Sequence, residues 1–272
     1  MQVLSRESET LKMQKLYGNL SLQQQISHDF WLATNQLGGK YLVSKTLNLV
    51  IKINPDGYTP RSGLVMTDFL NKVQVYGSVY DIGTGECGIL AHYAKARGAK
   101  KVVACDKDPY AVKHAAKSSN MARQISWIVG DVYSPIKNVA TFNLILSNPP
   151  QMPMPERGPL HDYGGPDGRS IINEIIRECP RHLSTNGNLY LLCFDFLETK
   201  SRYGEKTSIS EFAASHGLHC SIEHTSIRII RKGGQTEQNI HWIKMFYPEY
   251  EFKKDSEGNI FHLMHILKLE HL

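Results

Sequence analysis

Four short apolar runs in the middle of the chain each end in a small, acidic or amide residue. Tyr76-Gly-Ser-Val-Tyr-Asp-Ile82 leads into a glycine-rich stretch, Val102-Val-Ala-Cys-Asp106 and Trp127-Ile-Val-Gly-Asp131 end on carboxylates, and Leu144-Ile-Leu-Ser-Asn-Pro-Pro-Gln151 ends on a proline turn. Asp81, Asp106 and Asp131 stand twenty-five residues apart. Continuous apolar runs of this kind, with a helix-like stretch over residues 89–97 between the first two, predict strands of a parallel sheet buried on both faces. Polar groups then collect at the sheet's carboxyl edge, where open α/β folds bind ligands.

Around this centre the pattern predicts further elements. Residues 11–16 and 21–37 read as helices, with Ser21 as a cap, Gly38-Gly39 as a stop, and Leu22, Ile26, Phe30, Trp31 and Leu37 as the apolar set. Residues 47–53 alternate as a strand, and Asn54-Pro-Asp-Gly57 is a turn signal for a β-hairpin. A helix follows near residues 64–73. The tail predicts a helix over 209–216 and strands over 219–230 and 260–269 that form an antiparallel edge. The fold class is therefore α/β: a mostly parallel, Rossmann-like sheet with an N-terminal helical segment and a β-hairpin. The expected organisation is 1–45 as the helical substrate-side segment, 46–74 as hairpin and linker helix, and 75–272 as the catalytic domain.

The chemistry starts at Asp81-Ile-Gly-Thr-Gly-Glu-Cys-Gly88, where Gly83, Gly85 and Gly88 have G-x-G-x-x-G spacing. Glycines there allow a tight turn and a close ligand approach. The motif alone is weak, and it gains meaning from Asp106, which lies where a ribose-binding carboxylate belongs. A nicotinamide cofactor would bring its pyrophosphate against Asp81 and Glu86 and be repelled. The cationic amino acid end of S-adenosylmethionine (SAM) suits them.

At this point the chain resembles the class I SAM-dependent methyltransferases. The resemblance implies that Asp81, Gly83, Thr84 and Gly85 cradle the methionine part. It implies that Asp106, with Lys107 beside it, holds the ribose, and that Asp131, with Val132, meets the adenine. Asp131 has a second reading as a helix cap. Asn148 faces the methyl donor in the same scheme. SAM is the only cofactor expected.

Composition narrows the picture only a little. The chain has 272 residues, is 41% hydrophobic and carries a net charge of +5. Its basic clusters (Lys100-Lys101, residues 228–232, Lys253-Lys254) are small, which argues for solvated lysines over a phosphate-tracking groove. No apolar run reaches the ~18 residues of a membrane span, and the polar, acidic start does not resemble a signal peptide. Five cysteines without close pairing fit reduced thiols in a cytoplasm, and twelve scattered histidines show no metal-ligand spacing.

Ser147-Asn-Pro-Pro-Gln151 carries the reactive end. Two prolines remove two donors and stiffen the turn. Such a turn can hold the Asn148 side chain and the Pro149 carbonyl beside a methyl donor, as acceptors for the N–H groups of a nucleophile. With it, the resemblance narrows to the HemK-type family, which methylates glutamine amides of release factors and ribosomal proteins. A wider group of relatives methylates nucleobase amines. Thr59-Pro-Arg-Ser62, Gly164-Gly-Pro-Asp-Gly168 and Leu183-Ser-Thr-Asn-Gly-Asn-Leu-Tyr-Leu191 resemble further family segments, so that the likeness covers roughly residues 45–200.

The family pattern ends in an aromatic residue, N-P-P-Y or N-P-P-F, whereas this chain has Gln151. Without a stacking ring, the reading of the residues favours a small amine substrate, or SAM attacked by its own amine in a cyclising reaction. A protein glutamine or nucleobase acceptor stays open, as does a SAM-binding regulator. Asn148, Pro149, Gln151 and Tyr163 are the expected catalytic set. Arg61, Phe30, Trp31 and His161 are further candidates for substrate contact or base, and the loop over residues 152–168 is a candidate lid.

Overall fold

The computed structural model describes residues 20–54, 59–156, 161–197 and 207–272. It opens with strands where a helix was expected. β1 (Leu20–Gln25), β2 (Trp31–Asn35), β3 (Lys40–Ser44) and β4 (Leu49–Ile53) form a four-stranded antiparallel meander. The reason is local. Asn35 folds back on itself, its Oδ1 accepting from the N–H groups of Leu37 (3.1 Å) and Gly39 (2.7 Å), while Gly38 takes φ +76°. The Gly-Gly pair is thus a hairpin turn, not a helix stop. The turn at Ser27 to Phe30 is closed by Phe30 N–H on Ser27 Oγ (3.2 Å). β4 pairs back with β3, so the predicted strand is the end of this meander. The expected helix at 11–16 and most of the turn at 54–57 lie outside the described residues.

Helix α1 (Arg61–Leu70) then leads into the main sheet. Its order of elements is β5 (Ser78–Ile82), α2 (Ile89–Ala96), β6 (Lys101–Asp106), α3 (Pro109–Ala115), β7 (Ser126–Val129), β8 (Phe142–Ser147), α4 (Ser170–His182), β9 (Leu183–Phe194), α5 (Ile209–Ser215), β10 (Leu218–Ile229), α6 (Gln235–Gln238), α7 (Ile240–Phe246), β11 (Lys253–Lys254) and β12 (Ile260–His271). The strands run β10-β12-β9-β8-β5-β6-β7, with β11 beside β12. β12 runs antiparallel to β9, β10 and β11, and the remaining neighbours pair in parallel.

This order places the site. From β5 the chain crosses to β6 on one side, while β8 lies on the other. Right-handed crossovers therefore put α2 and α3 on one face and α4 and α5 on the opposite one. The crevice opens at the carboxyl end of β5, between β6 and β8. Register aligns the ends: Ile82 sits opposite both Cys105 and Ser147, and Asp106 opposite Val129. The core beneath is apolar and aromatic. Tyr80 stacks on Phe142 at 4.9 Å between ring centres and donates its hydroxyl to the carbonyl of Val132 (2.5 Å).

The N-terminal meander docks on the flank of this domain. Asp29 accepts from Tyr93 Oη (3.1 Å) and Asn71 Nδ2 (2.8 Å), His28 N–H donates to Asp68 (2.9 Å), and Lys52 and Val50 N–H donate to Ser118 O (2.6 Å) and Asn120 Oδ1 (3.1 Å). Phe30 is fully buried, 6.2 Å from the Tyr93 ring.

Candidate functional site

The glycine loop is organised by two carboxylates. Asp81, at the end of β5, is completely buried. Its Oδ2 accepts from Thr84 Oγ1 (2.6 Å) and from the Ala91 N–H (3.1 Å), while its Oδ1 has no hydrogen-bond partner among the described residues. Burial pushes its pKa up to about 7, against the pull of those two bonds. The N–H groups of Gly83 and Thr84 both donate to Cys105 O (3.0 and 2.9 Å), tying the loop to β6. The Gly85 N–H donates to Asp106 Oδ2 (2.8 Å), and the Asp108 N–H to its Oδ1 (2.9 Å). Burial raises the Asp106 pKa as well.

The glycines serve different ends. Gly83 and Gly85 have φ +72° and +64°, and a Cβ at either would meet nothing within 4 Å. They are needed for backbone conformation, and they border open space. Gly88, at φ +58°, is needed for contact as well: a Cβ there would lie 2.7 Å from the Trp127 ring.

Beyond β7, Asp131 forms an ion pair with Lys107. The segment after it is a run of turns, closed by the Ser134 N–H on Asp131 O (2.8 Å), so the helix-cap reading of Asp131 is not realised. Val132 has φ +45°, a strained position for a β-branched residue. The Tyr80 hydroxyl and the Cys105 thiol (3.3 Å) both donate to its carbonyl and hold it there.

On the other side of β5, Ser147 Oγ donates to Ile82 O (2.9 Å) and locks the end of β8 beside the glycine loop. Asn148 is half-buried, and its side chain bonds to none of the described residues. Pro149 is buried. Gln151 is buried too, with its amide engaged by the chain itself: Nε2 donates to Pro149 O (3.3 Å) and Leu192 O (3.1 Å), and Oε1 accepts from the Phe194 N–H (2.7 Å).

Tyr163 is brought close to this turn. It bridges in parallel with Met152, flanked by Met152 N–H on Asp162 O (2.9 Å) and Gly164 N–H on Met152 O (3.0 Å). Gly164 and Gly168 pack directly on Gln151: a Cβ on Gly164 would stand 2.5 Å from Gln151 Cα, and one on Gly168 2.6 Å from Gln151 O. The other candidates fall elsewhere. Phe30 and Trp31 belong to the meander on the flank, Arg61 is exposed at the start of α1, and His161 is exposed and pairs with Asp162 (3.4 Å). Residues 157–160 of the candidate lid lie outside the described residues.

Three residues absent from the sequence expectations close this side. Trp242 Nε1 donates to Pro166 O (2.8 Å), Tyr247 Oη to Asp167 O (2.7 Å) and Tyr250 Oη to Asp195 (2.8 Å). They come from the α6–α7 insertion between β10 and β12. The aromatic density of residues 242–252 was the available signal.

Among the described residues no helix is long and apolar enough to cross a membrane, and no cluster of metal-ligating side chains occurs.

The model of the methyltransferase small domain matches residues 61–217, more than half of the chain. The chain is 31% identical to a Methanocaldococcus jannaschii protein whose name is that of a protein N5-glutamine methyltransferase, over 59% of this chain and 81% of that one. It is 30% identical to the release factor glutamine methyltransferase of Koribacter versatilis, over 42% of this chain and only 45% of that relative. Among solved structures, the YcgJ protein of Bacillus subtilis covers 79% of this chain and is itself covered completely, at a TM-score of 0.48 and 15% identity. The chain belongs to the methyltransferase small domain family, whose likeness brings S-adenosyl-L-methionine as methyl donor.

Proposed function

We propose that the chain transfers a methyl group to an amide or amine nitrogen held at the Asn-Pro-Pro-Gln turn. The observation that carries this reading is the placement of Asn148. Its carboxamide, which bonds to none of the described residues, stands at the end of β8, which Ser147 locks to β5 at the mouth of the glycine loop. The names of the relatives support a carboxamide nitrogen of a protein glutamine as acceptor. A small amine is the second reading, favoured by the lack of a ring at position 151.

The residues fit SAM. The space above Gly83 and Gly85 admits a ligand, and the unpartnered Oδ1 of Asp81 offers an acceptor for its ammonium. Asp106 keeps lone pairs that the ribose hydroxyls would use, and Asp131 with Val132 would border the adenine. When bound, SAM supplies an electrophilic methyl group, so little acid–base machinery is required. The chain contributes orientation. Asn148 Oδ1 and Pro149 O take the two N–H bonds of the nitrogen, which turns its lone pair toward the methyl carbon. The nitrogen would shed one proton on transfer, and Asn148 Oδ1 and Pro149 O, too weakly basic to take it, would keep its N–H hydrogen-bonded until water accepts the proton. Most of the rate comes from this alignment.

The test is product analysis by mass spectrometry with SAM alone, with release factor, and with small amines. S-adenosylhomocysteine formed together with a methylated release factor supports the first reading, and with a methylated amine the second. Methylthioadenosine from SAM alone would replace both with cyclisation. SAM binding without any product would leave a regulator.

A further inference from the structure

Gln151 makes more hydrogen bonds than a turn requires. Leu192 O and Phe194 N belong to residues two apart at the end of β9, so the Gln151 carboxamide pairs with them as a neighbouring strand's peptide group would. The same Nε2 reaches back to Pro149 O within its own turn. From the other side, Gly164 and Gly168 cover the Gln151 backbone so closely that neither position has room for a Cβ. The side chain, 3% exposed, is held to β9 while the glycine segment covers its backbone.

We propose that Gln151 is a positioning residue for the transfer. Its carboxamide fixes the direction of the Pro149 carbonyl and leaves the remaining lone pair of that oxygen for the acceptor nitrogen. A carbonyl oxygen has two such sites, and Gln151 occupies one of them. Gln151 does not touch the acceptor. Its removal acts through Pro149, because in-line transfer loses about 100-fold for a misplacement of about 1 Å. A second consequence concerns specificity. With this side chain committed to β9, position 151 lays no flat surface over the reacting nitrogen, so the acceptor need not be planar there.

This inference rests on the reading that Asn148 Oδ1 and Pro149 O receive the N–H groups of the acceptor. The experiment separates the two. Calorimetry on the full chain compares S-adenosylhomocysteine with sinefungin, an analogue whose amine-bearing carbon replaces the methylsulfonium. Only sinefungin offers N–H groups to the two oxygens. The wild-type chain should prefer it about tenfold, as one charge-assisted hydrogen bond provides. Two variants are tested, with melting curves to confirm folding. Gln151→Met removes all three hydrogen bonds, and Gln151→Glu keeps the shape and the bond from Phe194 but removes the amide donor. Each should cut the preference to about twofold or less, with S-adenosylhomocysteine affinity held within about twofold. A preference left intact in a folded variant overturns the positioning role. Equal loss for both ligands overturns it as well, since that is what a merely structural residue would give. A wild-type chain that binds S-adenosylhomocysteine but shows no preference sinks the underlying reading of the turn, and this inference with it.

Discussion

On the β5–β7 side of the carboxyl edge, each residue at the glycine loop is held by a partner from the same or the next βαβ unit: Thr84 and Ala91 on Asp81, Gly85 on Asp106, Lys107 on Asp131. On the β8–β9 side the ties come from far along the chain. Gln151 reaches β9, and Trp242 and Tyr247 reach the Gly164 to Gly168 segment across 76 and 80 residues. The contrast has a functional logic. SAM is an invariant ligand and can be held by a loop that folds with its own strand. The proposed acceptor side is assembled instead from loops and an insertion, the segments that carry specificity on a rigid scaffold.

The comparison can be broken first at Asn148. Asn148→Ala should lower turnover by about 100-fold or more and leave SAM affinity within about threefold, because its contact is made at the reacting geometry. Parallel loss of both, in rapid-quench and calorimetric assays, would make Asn148 part of the cofactor side and erase the division.

Asp106→Ala should do the opposite. SAM binding weakens by roughly 1.5–3 kcal/mol through lost charge-assisted hydrogen bonds, and the saturated rate changes little. Titration calorimetry on the folded variant reads this directly, and an unchanged affinity removes Asp106 from the site.

Gly164→Ala should cost about 1–3 kcal/mol of stability, since the new Cβ meets the backbone of Gln151. Gly83→Ala meets no atom and should cost about 1 kcal/mol, for its positive φ alone. Denaturant midpoints decide between them; equal costs would mean that the acceptor side has more slack than its packing suggests.

The smallest effect is one of pH. A buried Asp81 with pKa pushed up to about 7 is partly protonated at neutrality, and an ammonium beside it favours the charged form. SAM binding should therefore release part of a proton near pH 6.5, and affinity should rise with pH through 7. In the free chain the sign is reversed. An acid whose folded pKa lies above its unfolded value binds more protons folded than unfolded, so its contribution to stability falls as pH rises from about 4 toward 7. His92, driven down to about 3 by burial, works against this: its contribution is lost as pH falls below the unfolded histidine value. Calorimetry in buffers of different ionisation enthalpy isolates Asp81. A release that persists in Asp81→Asn assigns the proton to another group.

The sequence by itself determined the strands from β5 to β8, the helix and two long strands of the tail, the glycine loop, the two spaced acids and the position of the Asn-Pro-Pro turn. Each of these depends on a local rule: an apolar run long enough for a buried strand, a residue that tolerates positive φ, a carboxylate at a strand end. Tertiary structure decided what such rules do not reach. The stretch from Ser21 to Leu37 became β-strands because Asn35 and Gly38 close a hairpin and β3 supplies a partner ladder, neither of which the helix-like spacing of its apolar residues could reveal. Phe30, a plausible substrate contact in the sequence, went into the core beside Tyr93. Gln151, an apparent gap in a familiar motif, found its partners forty-one and forty-three residues away on β9. A side-chain amide has no preferred partner until a second strand arrives, so its role is set by which backbone groups the fold brings within hydrogen-bond reach.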